Sequence, residues 1–172
     1  MQKSNISIMP PYFNRYVELV TDKNLHEVLH DSLTHLQTEE TKNLLLRIEN
    51  KKYAENKWTG KQIIQHITDA ERVFAYRALR FARHDKTVLQ GYDENLFAEH
   101  AHIAHRSFDD LYNELISVRQ STIFLFKSFT NDMLLQTGKT NEFEVAVLAL
   151  GFAIVGHQNH HLQVVQERYS HL

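Results

Sequence analysis

The chain has 172 residues, which suits one domain around one core. Its 42% hydrophobic and 23% charged residues place it among globular proteins, and a formal charge of -2 argues against a nucleic-acid binder, which carries a basic excess or stripe. There is no cysteine, which excludes disulfides, thiolate metal ligands and a cysteine nucleophile and fits a reducing cytoplasm.

The N-terminal stretch "MQKSNISIMPPYF" has no long apolar segment, so no signal peptide is expected. The longest apolar run, "VAVLALGFAIVG", falls short of the roughly 18 residues of a membrane span and suits a buried helix. Only 5 glycines and 2 prolines occur, so long stretches run without a breaker, as in an all-α protein. The first 20 residues read as an extension packed along the outside, with Tyr12, Phe13 and Tyr16 supplying apolar contacts.

The first long helix is expected from Asn24 to Glu49. Asn24 and Glu27 have capping-box spacing, and Leu25, Val28, Leu29, Leu33, Leu36, Leu44, Leu45 and Ile48 recur at threes and fours. The second opens at "WTGKQ", with Thr59 as N-cap and Gln62 at the box position, and runs to about Arg83. Its Arg77, Arg80 and Arg83 read as a solvated face. A long crossover follows, with a short helix around Glu94 to His100. The third helix is expected from Ser107 to Phe129. "TGKTN" breaks the chain, and Asn141 with Glu144 is expected to cap a fourth helix running to Tyr169. Four amphipathic helices with a long crossover between the second and third make a four-helix bundle.

Twelve histidines occur where roughly three or four would be usual at average composition. Without cysteine, a transition metal would have to be held by histidine and carboxylate. In "GHQNHHLQVV" a helix advances about 100° per residue, so His157 and His161 share one stripe, about 40° apart, with apolar neighbours on both sides. An i, i+4 histidine pair can chelate one ion. His160, about 60° to the other side, could ligate or flank. His66 sits on the apolar stripe of the second helix and could supply a third imidazole from a facing helix. Each of these also fits a satisfied core histidine, and periodicity leaves both readings open. His100, His102 and His105 read as a solvated loop, His26, His30 and His35 as surface residues, and His84 and His171 as helix ends.

The blocks "KWTGKQIIQHITDAERVFAYRALRFARHDKT", "LQGYDENLF" and "ALGFAIVGHQNHHLQVVQERY" resemble the DinB/YfiT-like superfamily of metal-dependent enzymes, over about Tyr12 to Tyr169. The resemblance implies a four-helix bundle with a divalent metal, usually zinc or nickel, on three histidines. These map to His66, His157 and His161, with His160 as a neighbour. It also implies a homodimer. The residue after the first histidine of the late motif is commonly Glu in the family and is Gln158 here. Better-understood members of that superfamily include bacillithiol and mycothiol S-transferases and a thiol-dependent maleylpyruvate isomerase, which is what the resemblance implies for chemistry.

The leading expectation is therefore a metal-dependent transferase using a low-molecular-weight thiol as its nucleophile toward a small-molecule electrophile. The alternatives are a metal-dependent hydrolase and a non-catalytic metal-binding module. A hydrolase needs a general base, for which Asp69, Asp93 and Glu94 are candidates. Glu71 lies about 140° from His66 on the helix and is poorly placed. No catalytic residue is assigned from the sequence.

Overall fold

The computed structural model describes residues 1–141 and 143–172. Four long helical arms form the bundle. The first is α2 (Leu25–Leu36), continued by α3 (Glu39–Leu46); the others are α4 (Gly60–Ala82), α6 (Phe108–Lys127) and α8 (Val147–Arg168). Both α2 and α4 pack against α6 and against α8, so the order around the bundle is α2, α6, α4, α8. A short α1 (Pro11–Val17) lies along α8, α5 (Glu94–His100) sits in the crossover, and α7 (Asn131–Leu135) follows α6. No helix among the described residues is long and apolar enough to cross a membrane.

Capping chemistry sets most boundaries. Thr59 accepts from the Gln62 amide while the Gln62 side chain accepts from the Thr59 amide, a reciprocal pair that starts α4 where the sequence places it. Ser107 caps α6 through the Asp110 amide, and Asp93 caps α5 through the amides of Asn95 and Leu96.

The first predicted helix is two helices. The chain leaves α2 at Gln37, and Thr38 restarts it by accepting from the Thr41 amide. Asn24 does cap α2, but through the His26 amide, and no reciprocal bond from Glu27 forms. The fourth helix also starts later than predicted. Thr137–Lys139 (β1) and Glu144–Ala146 (β2) pair as an antiparallel hairpin, and α8 begins at Val147 with no side-chain cap. Glu144 accepts from the Thr137 hydroxyl across that hairpin, so Asn141 and Glu144 do not cap α8.

The N-terminal segment is more deeply packed than an outer extension. Phe13, Tyr16 and Val17 are buried, and α1 lies so close to α8 that a Cβ at Gly156 would stand 2.0 Å from the Tyr16 carbonyl oxygen. Glycine at 156 is what allows that approach. It brings Tyr16 over the next turn of α8, which carries the histidines.

Candidate metal centre

His66 on α4 and His157 and His161 on α8 converge. His157 Nε2 lies 3.0 Å from His66 Nε2 and 3.1 Å from His161 Nε2. Among the described residues these three form the one group of histidines and carboxylates able to surround an ion. His66 and His157 are buried and His161 is half-buried.

Burial first, and the neighbouring imidazoles second, hold all three neutral. His66 is lowered to about 4, and His157 and His161 are held well below the ordinary histidine value. His160, half-buried, is lowered as well, by burial and then by Arg15.

The donor set fits a cation. A ring nitrogen of neutral imidazole either donates or accepts, so His157 Nε2 cannot satisfy both neighbours that face it. An ion between the three lone pairs removes the conflict. With metal–nitrogen distances of about 2.0–2.1 Å, ligand nitrogens stand about 2.9 Å apart in octahedral and about 3.3 Å apart in tetrahedral geometry. The two spacings to His157 fall inside that interval, and all three ligand atoms lie within 4.8 Å of one another.

The histidines open into a cavity of about 350 Å3. Tyr16 packs edge-on against His157 at 5.2 Å and His160 at 5.4 Å between ring centroids. Trp58 covers the other side, 4.5 Å from His66 and 6.2 Å from His161. Phe74 closes the wall beyond His157, at 6.0 Å.

The remaining candidates divide. Glu94 lines this cavity. Asp93 does not; it spends its carboxylate on the first amides of α5. Asp69 also faces elsewhere, into a shallow depression beside Leu96 and Phe97, where Gln65 donates to it at 2.9 Å. His160 flanks the three histidines, its ring 5.1 Å from that of His161, and is not in the converging group. His100, His102 and His105 are exposed, and His100 Nδ1 is engaged with the Leu96 carbonyl at 2.9 Å.

Arg77 corrects the solvated-face expectation. It is 5% exposed, lines the cavity and donates to the Gln90 carbonyl at 3.0 Å. Arg83 is exposed. Tyr16, Trp58 and Arg77 all went unassigned as site residues in the sequence. Trp58 carried a usable signal, because it stands immediately before the N-cap of the helix that bears His66.

Lowered histidine values make a prediction for the metal-free protein. The unfolded chain takes up protons below about 6.5, whereas the folded chain resists until about 4 at His66. The contribution is therefore intact above 6.5 and is lost as the pH falls from there through about 4. Thermal melts in chelator should show the transition temperature falling steadily from pH 7 to pH 5. A flat profile would mean that the imidazoles are not buried neutral.

Fold and site together define a helical bundle with a histidine-lined cavity between two facing helices. The sequence profile of the DinB superfamily matches residues 13–165, and the chain belongs to that superfamily. No curated protein matches it. Among solved structures it is similar to YfiT from Bacillus subtilis, described as a probable metal-dependent hydrolase with an unusual four-helix bundle topology. The TM-score is 0.67 at 15% identity, covering 96% of this chain and 90% of that one. At that identity the likeness is one of fold.

Proposed function

We propose that His66, His157 and His161 hold a divalent metal ion, zinc or nickel, in an open three-ligand site, and that the protein is a thiol-dependent S-transferase. The observation that carries the metal reading is the grouping of three neutral imidazole nitrogens within 4.8 Å of one another at the wall of a cavity. A structural zinc site would be closed by a fourth protein ligand. His160 lies to the side, so the arrangement favours an ion with positions left for water or substrate.

A divalent ion there would supply Lewis acidity, stabilising a bound thiolate at neutral pH. The chain's own residues would do the rest. The imidazoles orient the ion, the rings of Tyr16, Trp58 and Phe74 limit water, and Arg77 adds positive charge to the cavity wall. With no cysteine of its own, the protein would take its sulfur nucleophile from a small thiol. With monochlorobimane as electrophile, the thiol proton passes to solvent, a sulfur–carbon bond forms, and the carbon–chlorine bond breaks with chloride leaving on the electron pair.

Metal-loaded protein should accelerate this conjugation with at least one cellular thiol, and chelation should return the rate to background. Absence of acceleration with every thiol in a panel would sink the transferase reading. The alternative of hydrolysis has two supports, the fold likeness to YfiT and Glu94, a carboxylate that lines the cavity. It predicts metal-dependent cleavage of ester or amide substrates without thiol, abolished by Glu94→Gln.

A further inference from the structure

A second cavity, of about 250 Å3, adjoins the first, and Trp58, His160 and His161 line both. Its apolar wall includes Tyr53, Val164 and Tyr169, and its polar lining includes Asn56, Lys57 and Asn95. These residues come from the loop before α4, from α5 and from the end of α8.

The aromatic side of this cavity is tied together by contacts among its own residues. The Tyr169 hydroxyl donates to the Trp58 carbonyl at 2.5 Å, which pins the loop to α8. Tyr53 packs edge-on against Tyr169 at 4.9 Å. The Trp58 ring is held in turn against His66. Aromatic surface on one side and amide and ammonium donors on the other suit a flat ring bearing a hydrogen-bond acceptor.

We propose that this second cavity is the binding compartment for a second substrate, an aromatic electrophile carrying a nitro, carbonyl or carboxylate substituent. Its ring sits against Tyr53 and Val164, its acceptor meets Asn56, Lys57 or Asn95, and its reacting end faces His161. The proposal rests on the three-histidine metal reading of the adjoining cavity. It adds a reason to prefer group transfer. Hydrolysis by metal-bound water needs room for one organic substrate, whereas transfer from a thiol needs room for two beside the same ion.

The test separates the two cavities. Trp58 is the single tryptophan, so its fluorescence reports an arriving nitroaromatic. The probe is 4-nitrobenzyl alcohol, added to metal-free and to zinc-loaded protein. Saturable quenching is expected in both, with nuclear Overhauser contacts from the probe ring to the Val164 methyls and the Tyr53 ring. Val164→Phe, which fills the second cavity only, should weaken the probe at least tenfold and leave zinc affinity within about twofold of wild type. Tyr53→Ala, at an exposed position, should weaken it at least threefold and covers the case in which the first variant folds poorly. Unchanged probe affinity in both variants, or contacts only to Phe74 and Tyr16, would overturn the proposal. Failure of the wild type to bind zinc while the probe still binds at Val164 would remove the metal reading and leave the compartment standing.

Discussion

Replacing His157 with alanine will abolish high-affinity metal binding, lowering affinity by at least about a hundredfold, the upper end of what loss of a mere supporting residue costs. His157 is the residue whose Nε2 faces both other imidazoles, so its loss leaves two nitrogens that no longer share a neighbour. Trp58 makes the experiment simple. Its ring lies 4.5 Å from that of His66, so nickel should quench its emission in the wild type and not in the variant. Thermal melts give an independent readout. Metal at a hundred times its dissociation constant stabilises by about 2.7 kcal/mol, which for a chain of this size raises the transition by roughly 5–10 °C. That rise should vanish in His157→Ala. His160→Ala supplies the contrast: it should keep the rise nearly whole, because His160 flanks the three nitrogens. If His160→Ala lost the metal as completely as His157→Ala, the site would have four ligands, and the open, reactive centre would give way to a structural one.

That contrast was partly legible in the sequence. The angular separation of His157, His160 and His161 is a property of one helix, and it sorts two imidazoles inward without any tertiary information. His66 needed a second helix and a guess about facing stripes. Trp58 and Tyr16 could not be placed in that way. Trp58 reaches the site because the loop after α3 carries the chain to the start of α4, where the Gly60 amide donates to the Ile48 carbonyl at 3.0 Å. Tyr16 reaches it because Gly156 lets α1 press onto α8. Neither fact has a periodic signature.

The misplaced boundaries have the same origin. Apolar residues recur at short spacings on both sides of the break at Gln37 and Thr38, which reads as one helix. Yet Leu45 lies nine positions after Leu36, about 180° round a continuous helix, so the stripe changes phase where the chain breaks. Strands of three residues are too short for alternation to register, and the hairpin is fixed by tertiary packing. A Cβ at Gly138 would stand 1.9 Å from the Phe81 ring, so β1 lies flush against α4. Asp69 shows the limit of angles on a helix. At about 60° from His66 it looked close to the inward stripe, yet that rotation carries it out of the cavity and toward α5.

Replacing Arg119 with methionine will destabilise the fold by about 3–5 kcal/mol, the cost of leaving one partner of a buried ion pair alone. Arg119 is 0% exposed and Glu71 2% exposed, and the guanidinium donates to both carboxylate oxygens at 2.9 Å. Its third nitrogen donates to the Ser32 hydroxyl. The Gln158 amide, next to His157, points its Nε2 at the Ser32 carbonyl at 3.5 Å, and its Oε1 has no hydrogen-bond partner among the described residues. The four residues lie on α6, α4, α2 and α8, so one polar cluster touches every arm of the bundle. It explains why Glu71 is no candidate base: its carboxylate is committed to Arg119 on the side away from the histidines. The predicted loss corresponds to a fall in transition temperature of roughly 6–20 °C. Glu71→Gln should also destabilise, and a double variant replacing both charges with methionine should recover most of the loss, because the desolvation penalty then disappears from both sides. Equal destabilisation in the single and double variants would show that the pair matters for packing volume and not for charge. Gln158→Met gives the complementary result. The amide makes one long contact and leaves an oxygen unsatisfied, so removing it should change stability by less than about 1 kcal/mol. The cluster would then be shown to draw its stability from Arg119 and Glu71, with the residue beside His157 free to vary.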